Sequence, residues 1–505
     1  MGTNRIRKVV IAGGGTAGWV AASALAYQLK DQVEVTLVES SKISTVGVGE
    51  ATVPPIRNFH QFMNIDEQEF LRAVAGTFKL SISFENFVRP GHRYIHPFGT
   101  TGRGTLVSGF QQYWLDSLRR GMKSELGDFS LETRASLSDK FALTDDPEIS
   151  YAYHMDAALY VKFLREKFVR YGIKQIDGMI NEVRQNPDTG YVEALVLEDG
   201  QVIEGDLFID CTGFRGLLIE QTLKTGYEDW NHWLPCDRAI AVPTETVDPS
   251  PAPYTRAIAH KAGWRWYTAV QHRVGNGLVY DSRHLSDDEA QAKLLHDVGA
   301  KPLRDPWQIK FRTGRRLKVW NKNVVALGLA SGFVEPLEST SIHLAISAVM
   351  QLVELFPFEG IPDSLVDLYN KNCRVEAERV RDFVILHYHV NQRDEPLWRD
   401  CRDMTVPDSL QLRIDAWRDR AHVWKDQGEL FSTTSWMHVL LGQGIVPKQH
   451  HPVSRELSDT DMRRLLDGIR APIDRTVAQM PPQQAFIDRY CKARPEVWDA
   501  KPSMS

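Results

Sequence analysis

RKVVIAGGGTAGWVAASALAYQL at residues 7–29, followed by VEVTLV at 33–38, decides the fold of this 505-residue chain. RKVVI is an apolar run of strand length, and 33–38 is a second one. Between them the Ala-rich stretch from about Ala17 to Leu29 has the composition of a helix packed closely on a sheet. Strand, tight turn, helix and strand make a β-α-β unit, the opening of a doubly wound, Rossmann-like sheet of the α/β class. The turn itself, Gly13-Gly14-Gly15-Thr16-Ala17-Gly18, fits G-x-G-x-x-G. Gly13 permits the turn, Gly15 lets a pyrophosphate approach the backbone at the helix N-terminus, and Gly18 allows the helix to sit close to the strand. Glu39 ends the second strand about twenty residues on, where an acid accepts hydrogen bonds from an adenosine ribose. Thr16 and Ala17 complete the dinucleotide-binding turn.

Further strands are expected at Val192–Leu197, Leu207–Asp210 and Val324–Leu327. Alternation around Asp199-Gly200 predicts a hairpin within 191–204. Beyond about Ile342 the pattern is mainly helical, with Arg/Glu pairs at helical spacing in NKNCRVEAERVRDF. This organisation predicts two regions. Residues 1–350 form the nucleotide box with an inserted antiparallel, substrate-side sheet, and 351–505 form a mostly helical region over the substrate pocket. The Pro-rich tail from about Met480 is expected to wrap the surface.

Composition excludes several classes. A net charge of -5 without acidic or basic blocks gives no footprint for DNA or RNA. Five scattered cysteines (Cys211, Cys236, Cys373, Cys401, Cys491) without CxxC spacing argue against a zinc site or a disulfide framework and fit a reducing, cytoplasmic setting. No apolar run reaches membrane-spanning length, so no membrane contact is expected. His387 and His389 diverge on a helix, and Gln449-His450-His451 reads as a loop, so no metal site is expected.

Two segments favour FAD over NAD. Asp210-Cys211-Thr212-Gly213 resembles the second nucleotide contact of flavoprotein monooxygenases, and NVVALGLASGF around Gly328 resembles their third. Gly328-Leu329 stands where most such enzymes carry Gly-Asp. No second G-x-G-x-x-G unit is visible, so a separate NAD(P)H site is not expected. The segment Glu335–Ser341 precedes an apolar helix, and Ser339, Thr340 or Ser341 is expected to cap it, leaving backbone N–H groups for an anion.

Six segments together resemble the flavin-dependent tryptophan-halogenase family: GGGTAGW (13–19), GVGEATVP (47–54), GTFKLSISFENF (76–87), HPFG (96–99), GNGLVY (275–280) and FVEPLEST (333–340). The resemblance runs from residue 8 to about 350 and weakens beyond. It implies a flavoprotein-monooxygenase fold in which Gly49 and Ala51 also touch FAD. Lys79 is then the lysine that carries or hydrogen-bonds the oxidised halogen, and Glu338 the acid facing it. Backbone N–H groups of Thr340 and Ser341 hold halide, and His96, Pro97 and Phe98 pack against the aromatic substrate. The family usually has Gly in place of Ser341. Its Trp-x-Trp-x-Ile-Pro signature reads Trp264-Arg265-Trp266-Tyr267-Thr268-Ala269 here, with both Trp and without Ile-Pro.

The implied chemistry uses FADH2, O2 and chloride or bromide. A flavin peroxide oxidises halide to hypohalous acid, which Lys79 guides to one ring carbon. A separate NAD(P)H-dependent flavin reductase is the implied partner, and the protein itself is a monomer or homodimer. Tryptophan-specific members hold the amino-acid backbone with a Tyr-rich segment containing a Tyr-Tyr pair and a following Glu. The matching stretch, 422–444, has no Tyr and only Asp426 and Glu429 as carboxylates, which points to indole or an indole derivative. The competing readings are a flavin-dependent aromatic monooxygenase, independent of halide, and a non-catalytic flavin-binding protein, indifferent to Lys79 and Glu338.

Overall fold

A computed structural model describes residues 5–43, 49–248 and 250–499. The expected β-α-β unit forms as Lys8–Ala12, Thr16–Leu29 and Glu34–Glu39. Lys8–Ala12 lies within a six-stranded sheet ordered Trp320–Asn321, Val324–Ala326, Leu207–Asp210, Lys8–Ala12, Glu34–Glu39, Lys174–Asp177. All neighbours are parallel except the first pair. A strand at the centre of such a sheet is covered on both faces, which is why VVIA is apolar without alternation. The Ala-rich helix packs against Ser341–Glu354 and Ala157–Phe168, and its small side chains permit that approach.

The hairpin Val192–Leu197/Val202–Glu204 forms as expected and joins Ile180–Gln185 in a three-stranded antiparallel sheet. A seven-stranded sheet runs Trp307–Lys310, Arg238–Thr244, Val274–Tyr280, Gly263–Ala269, Tyr254–His260, Ser81–Glu85, Arg93–Pro97. Only the Tyr254–His260/Ser81–Glu85 pair in it is parallel. The glycines of GNGLVY have a packing role. A Cβ on Gly275 would lie 2.6 Å from the Gly49 backbone nitrogen, and one on Gly277 would lie 1.9 Å from the Trp266 ring. A further small sheet, Gly49–Ala51/Ala152–Asp156/Thr77–Lys79, carries Lys79. Gly47 and Val48 of the 47–54 segment lie outside the described residues.

The C-terminal part is helical, led by the 27-residue helix Asp363–His389. Its apolar side shares one core with the seven-stranded sheet through Phe84, Trp264, Phe383, Trp398 and Trp436. No helix of the described residues is long and apolar enough to cross a membrane. The described part of the Pro-rich tail lies largely exposed, anchored by a few buried residues. It contains the helix Gln483–Tyr490, whose Gln483 is fully buried and accepts a hydrogen bond from the Phe78 backbone N–H. Phe486 packs edge-on against Phe78 and Phe141, so aromatic contact anchors the tail and braces the strand that bears Lys79.

Candidate active site

One continuous cavity of about 730 Å³ begins at the Gly-rich turn. Gly13, Gly15, Thr16, Ala17, Glu39, Gly49, Ala51, Gly213 and Gly328 all line it. The four glycines of the turn do different work. Protein already fills the space where a Cβ would sit on Gly13, Gly14 or Gly18, at 2.3 Å from Cys211 O, 1.8 Å from Glu39 Oε2 and 1.9 Å from Gly13 O. On Gly15 a Cβ would meet nothing within 4 Å and would project into the cavity. That open cradle at the N-terminus of a 14-residue helix fits a dinucleotide pyrophosphate. Glu39 is held by Arg165 Nη2 at 3.0 Å and faces the same space. Gly328, at φ +61°, lets the third segment pass close to Ala17, where a Cβ would come within 2.7 Å.

Asp210 does not line the cavity. Its buried carboxylate accepts from the backbone N–H of Thr212, Leu218 and Ile219 and from the Thr212 hydroxyl, at 2.6–3.0 Å. It shapes the loop that presents Cys211, Thr212 and Gly213 to the cavity. Trp264 and Trp266, on strand Gly263–Ala269, complete one wall.

At its other end the cavity meets Pro336, Ser339 and Ser341. No side chain caps the helix Ser341–Glu354, contrary to expectation. The reason is local geometry. Ser339 adopts a left-handed conformation at φ +61° and its hydroxyl oxygen accepts from Lys79, while the buried Thr340 hydroxyl has no partner among the described residues. The left-handed residue of this turn is thus Ser339, and Ser341 is an ordinary first helical residue facing the cavity. Thr340 is fully buried behind it.

Behind Ser339 lies the second half of the site. Lys79 is fully buried. Its Nζ donates to Ser339 Oγ at 2.8 Å and to Thr52 O at 3.0 Å, and sits 5.2 Å from the centre of the Phe98 ring. Burial pulls the ammonium down from 10.5 to about 7, against the opposing pull of the Glu338 charge. Glu338 is also buried, which alone would favour its neutral form, yet His96 and His387 hold it down at about 2. His96 Nδ1 lies 2.9 Å from Oε2, and His387 Nε2 lies 2.7 Å from Oε1. With Glu338 anionic both ring nitrogens donate, and Tyr94 O–H then donates to His387 Nδ1 at 2.7 Å. Pro97 pairs in register with Ser81, and Phe98 N–H donates to Leu80 O, so strand pairing fixes the His96–Phe98 edge. Phe383 and Phe431 stack at 3.8 Å beside His96.

Of the sequence-derived cofactor residues, Asp210 and Gly18 do not line the cavity: Asp210 shapes the neighbouring loop and Gly18 packs against Gly13 O. His387 was missed because its spacing to His389 was weighed only for metal binding. His389 instead binds Cys401 O, and among the described residues no cluster could hold a metal. Glu335 was read only as part of a motif. It is fully buried, with Oε2 accepting from Trp264 Nε1 and from Tyr388 O–H, both at 2.7 Å.

A tryptophan 6-halogenase from Streptomyces toxytricini is 36% identical, covering 96% of this chain and 99% of its own. A tryptophan 7-halogenase from Lentzea aerocolonigenes is 32% identical, covering 89% and 92%. Among solved structures, a flavin-dependent halogenase from Xanthomonas campestris superposes with a TM-score of 0.95 at 47% identity, covering 97% of this chain and 99% of its own. One from Brevundimonas sp. BAL3 gives 0.92 at 41%, covering 97% and 100%. The tryptophan halogenase family model matches residues 8–459, and the chain belongs to that family of enzymes.

Proposed function

We propose that this enzyme halogenates an electron-rich aromatic ring, indole or an indole derivative, with chloride or bromide. Reduced FAD comes from a separate NAD(P)H-dependent flavin reductase, and O2 is the oxidant. The carrying observation is a fully buried lysine hydrogen-bonded to Ser339, which lines a dinucleotide cavity and is preceded in the chain by a buried carboxylate held by two imidazoles. In this reading residues 1–350 hold most of the flavin, Asn370, Cys373 and Ala377 of the long helix add to the same cavity wall, and the rest of 351–505 covers the substrate side, to which Phe383, His387 and Phe431 belong.

Bound reduced FAD supplies, with O2, the oxidation of halide to hypohalous acid. Lys79 Nζ holds that small oxidant by hydrogen bonding, or carries the halogen as an amine, and so confines attack to one ring carbon. The new C–halogen bond forms as the O–halogen or N–halogen bond breaks. Glu338 stabilises the cationic ring and accepts the proton it loses. His96 and Phe98 flank the ring, and backbone N–H groups of Thr340 and Ser341 hold halide on the cavity side.

Paired carboxylates support a substrate without a charged tail. Within 422–444, Glu429 is buried and accepts from Arg413 Nη2 at 2.8 Å and Trp436 Nε1 at 2.9 Å, and Asp426 is 3.1 Å from the same guanidinium. Neither is free for an amino-acid ammonium, whose desolvation would cost several kcal/mol unpaired. The decisive experiment supplies FAD, a flavin reductase, NADH and indole, with and without bromide. Bromide-dependent bromoindole supports the proposal. Bromide-independent oxygenation would establish the monooxygenase reading, and no turnover with any aromatic would favour a flavin-binding protein.

A further inference from the structure

The mechanism leaves one buried carboxylate unused. Glu335 stands three residues before Glu338, joined to it by the tight turn Pro336–Glu338. Both carboxylates are shielded from solvent, at 0% and 1% exposure. Their partners are arranged in parallel. His387 and Tyr388 are adjacent near the end of the helix Asp363–His389. His387 Nε2 meets Glu338 and Tyr388 O–H meets Glu335, each at 2.7 Å. The second donor to Glu335 is the indole N–H of Trp264, which lines the dinucleotide cavity although Glu335 itself does not. The residue after Glu338 is Ser339, which faces that cavity and holds Lys79. Five consecutive residues therefore fasten together the cavity wall, the long helix and the lysine pocket.

We propose that Glu335 is a positioning residue: by accepting from Trp264 and Tyr388 it holds the indole on the flavin side and the His387-bearing helix in register with the turn that carries Glu338 and Ser339. It touches neither substrate nor flavin. Its environment suits that task. Burial pushes its carboxyl up to about 7 against the opposing pull of the Tyr388 and Trp264 hydrogen bonds, whereas Glu338 is held low by two imidazoles. A group that serves as an acceptor rather than as a charge should be replaceable by an amide. The amide oxygen of Gln accepts both hydrogen bonds, whereas Leu leaves a buried N–H and a buried O–H unsatisfied.

The inference rests on the halogenase reading, and its test separates the two. Glu335→Gln, Glu335→Leu and Tyr388→Phe are compared with the wild type, with flavin reductase and bromide present. The first measurement is the fraction of oxidised reduced flavin that yields brominated ring rather than free hypobromite trapped by an added scavenger. The second needs no turnover: the indole N–H resonance of Trp264 in protein labelled with ¹⁵N-tryptophan, assigned with Trp264→Phe. Expected are a strongly downfield Trp264 N–H in the wild type and in Glu335→Gln, lost in Glu335→Leu. Coupling should fall at least fivefold in Glu335→Leu, about twofold in Tyr388→Phe, and return in Glu335→Gln. Wild-type coupling in folded Glu335→Leu would overturn the proposal, as would Glu335→Gln as poor as Leu. If Glu335→Leu does not fold, unchanged coupling in Tyr388→Phe overturns it. A wild type that makes no brominated ring sinks the halogenase reading instead, and the Trp264 resonance still reports the hydrogen bond.

Discussion

Replacing Lys79 by Met removes a charge that the fold holds at a cost, and the cost has a pH signature. The ammonium falls from 10.5 to about 7 on burial. That is about 3.5 units, worth about 5 kcal/mol at about 1.4 kcal/mol per unit. Because the folded value lies below the unfolded one, the unfolded chain binds more protons between them, and stability rises with pH across that window. The penalty is fully present below about pH 7 and gone above about pH 10.5. Between about pH 6.5 and 9.5 the wild type should gain about 3 kcal/mol relative to Lys79→Met. The two groups coupled to Lys79 do not titrate there, since Glu338 is held at about 2 and burial keeps His154 well below its usual range. Urea unfolding of both proteins at several pH values measures the difference directly, because all other titrations cancel. At low pH the gain from removing the charge is partly offset by leaving Thr52 O and Ser339 Oγ without their donor, about 1–3 kcal/mol each. The pH slope is untouched by that offset. Parallel stability profiles, within about 1 kcal/mol, would refute the account of a depressed Lys79. The same variant should bind FAD normally and lose halogenation.

Glu338→Gln should lower turnover about 100-fold or more if the carboxylate takes the ring proton, measured by single-turnover kinetics with FAD affinity unchanged. It should also flatten acid unfolding: a carboxyl depressed to about 2 lends stability that is complete above the usual carboxylate range and lost as pH falls toward 2. Gly15→Ala should fold with an unchanged Tm but weaken FAD binding at least tenfold by fluorescence titration, since its Cβ projects into the cradle, whereas Gly18→Ala should unfold the turn against Gly13 O. NADH with FAD, bromide and indole should give no product until a flavin reductase is added; product from nicotinamide alone would show a reducing site that the sequence does not reveal. Indole should have a higher kcat/KM than tryptophan under identical conditions, and a tenfold preference for tryptophan would mean that the carboxylates at 426 and 429 exchange partners when substrate binds.

What the sequence made legible was local. A strand, a Gly-rich turn and an Ala-rich helix are set by near neighbours, so the residues from Lys8 to Glu39 could be read to within about two positions. Lys79 and Glu338 were legible only through resemblance, because nothing within several residues of either distinguishes it from a surface charge. Their partners come from distant strands and helices. Glu338 meets His96 and His387 across separations of 242 and 49 residues, and Trp264 meets Glu335 across 71. No periodicity encodes such pairings. Asp210 was placed in the right loop with the wrong duty, since a motif fixes where a loop sits more firmly than which way a carboxylate turns. The capping expectation at 339–341 failed for a related reason: hydroxyls beside a helix N-terminus are read as caps by default, and a buried ammonium nearby outbid the helix for Ser339.

Ser339 is also a partition. The residues lining the dinucleotide cavity and those gathered around Glu338 form two almost separate sets, with Ser339 in contact with both. On the proposed reading, substitutions at Phe98, Phe383 or Phe431 should reshape the substrate side without altering a single cavity-lining side chain. On that reading the molecule is modular at the scale of one residue: its substrate range should be open to drift or redesign while the proposed oxidising half stays constant.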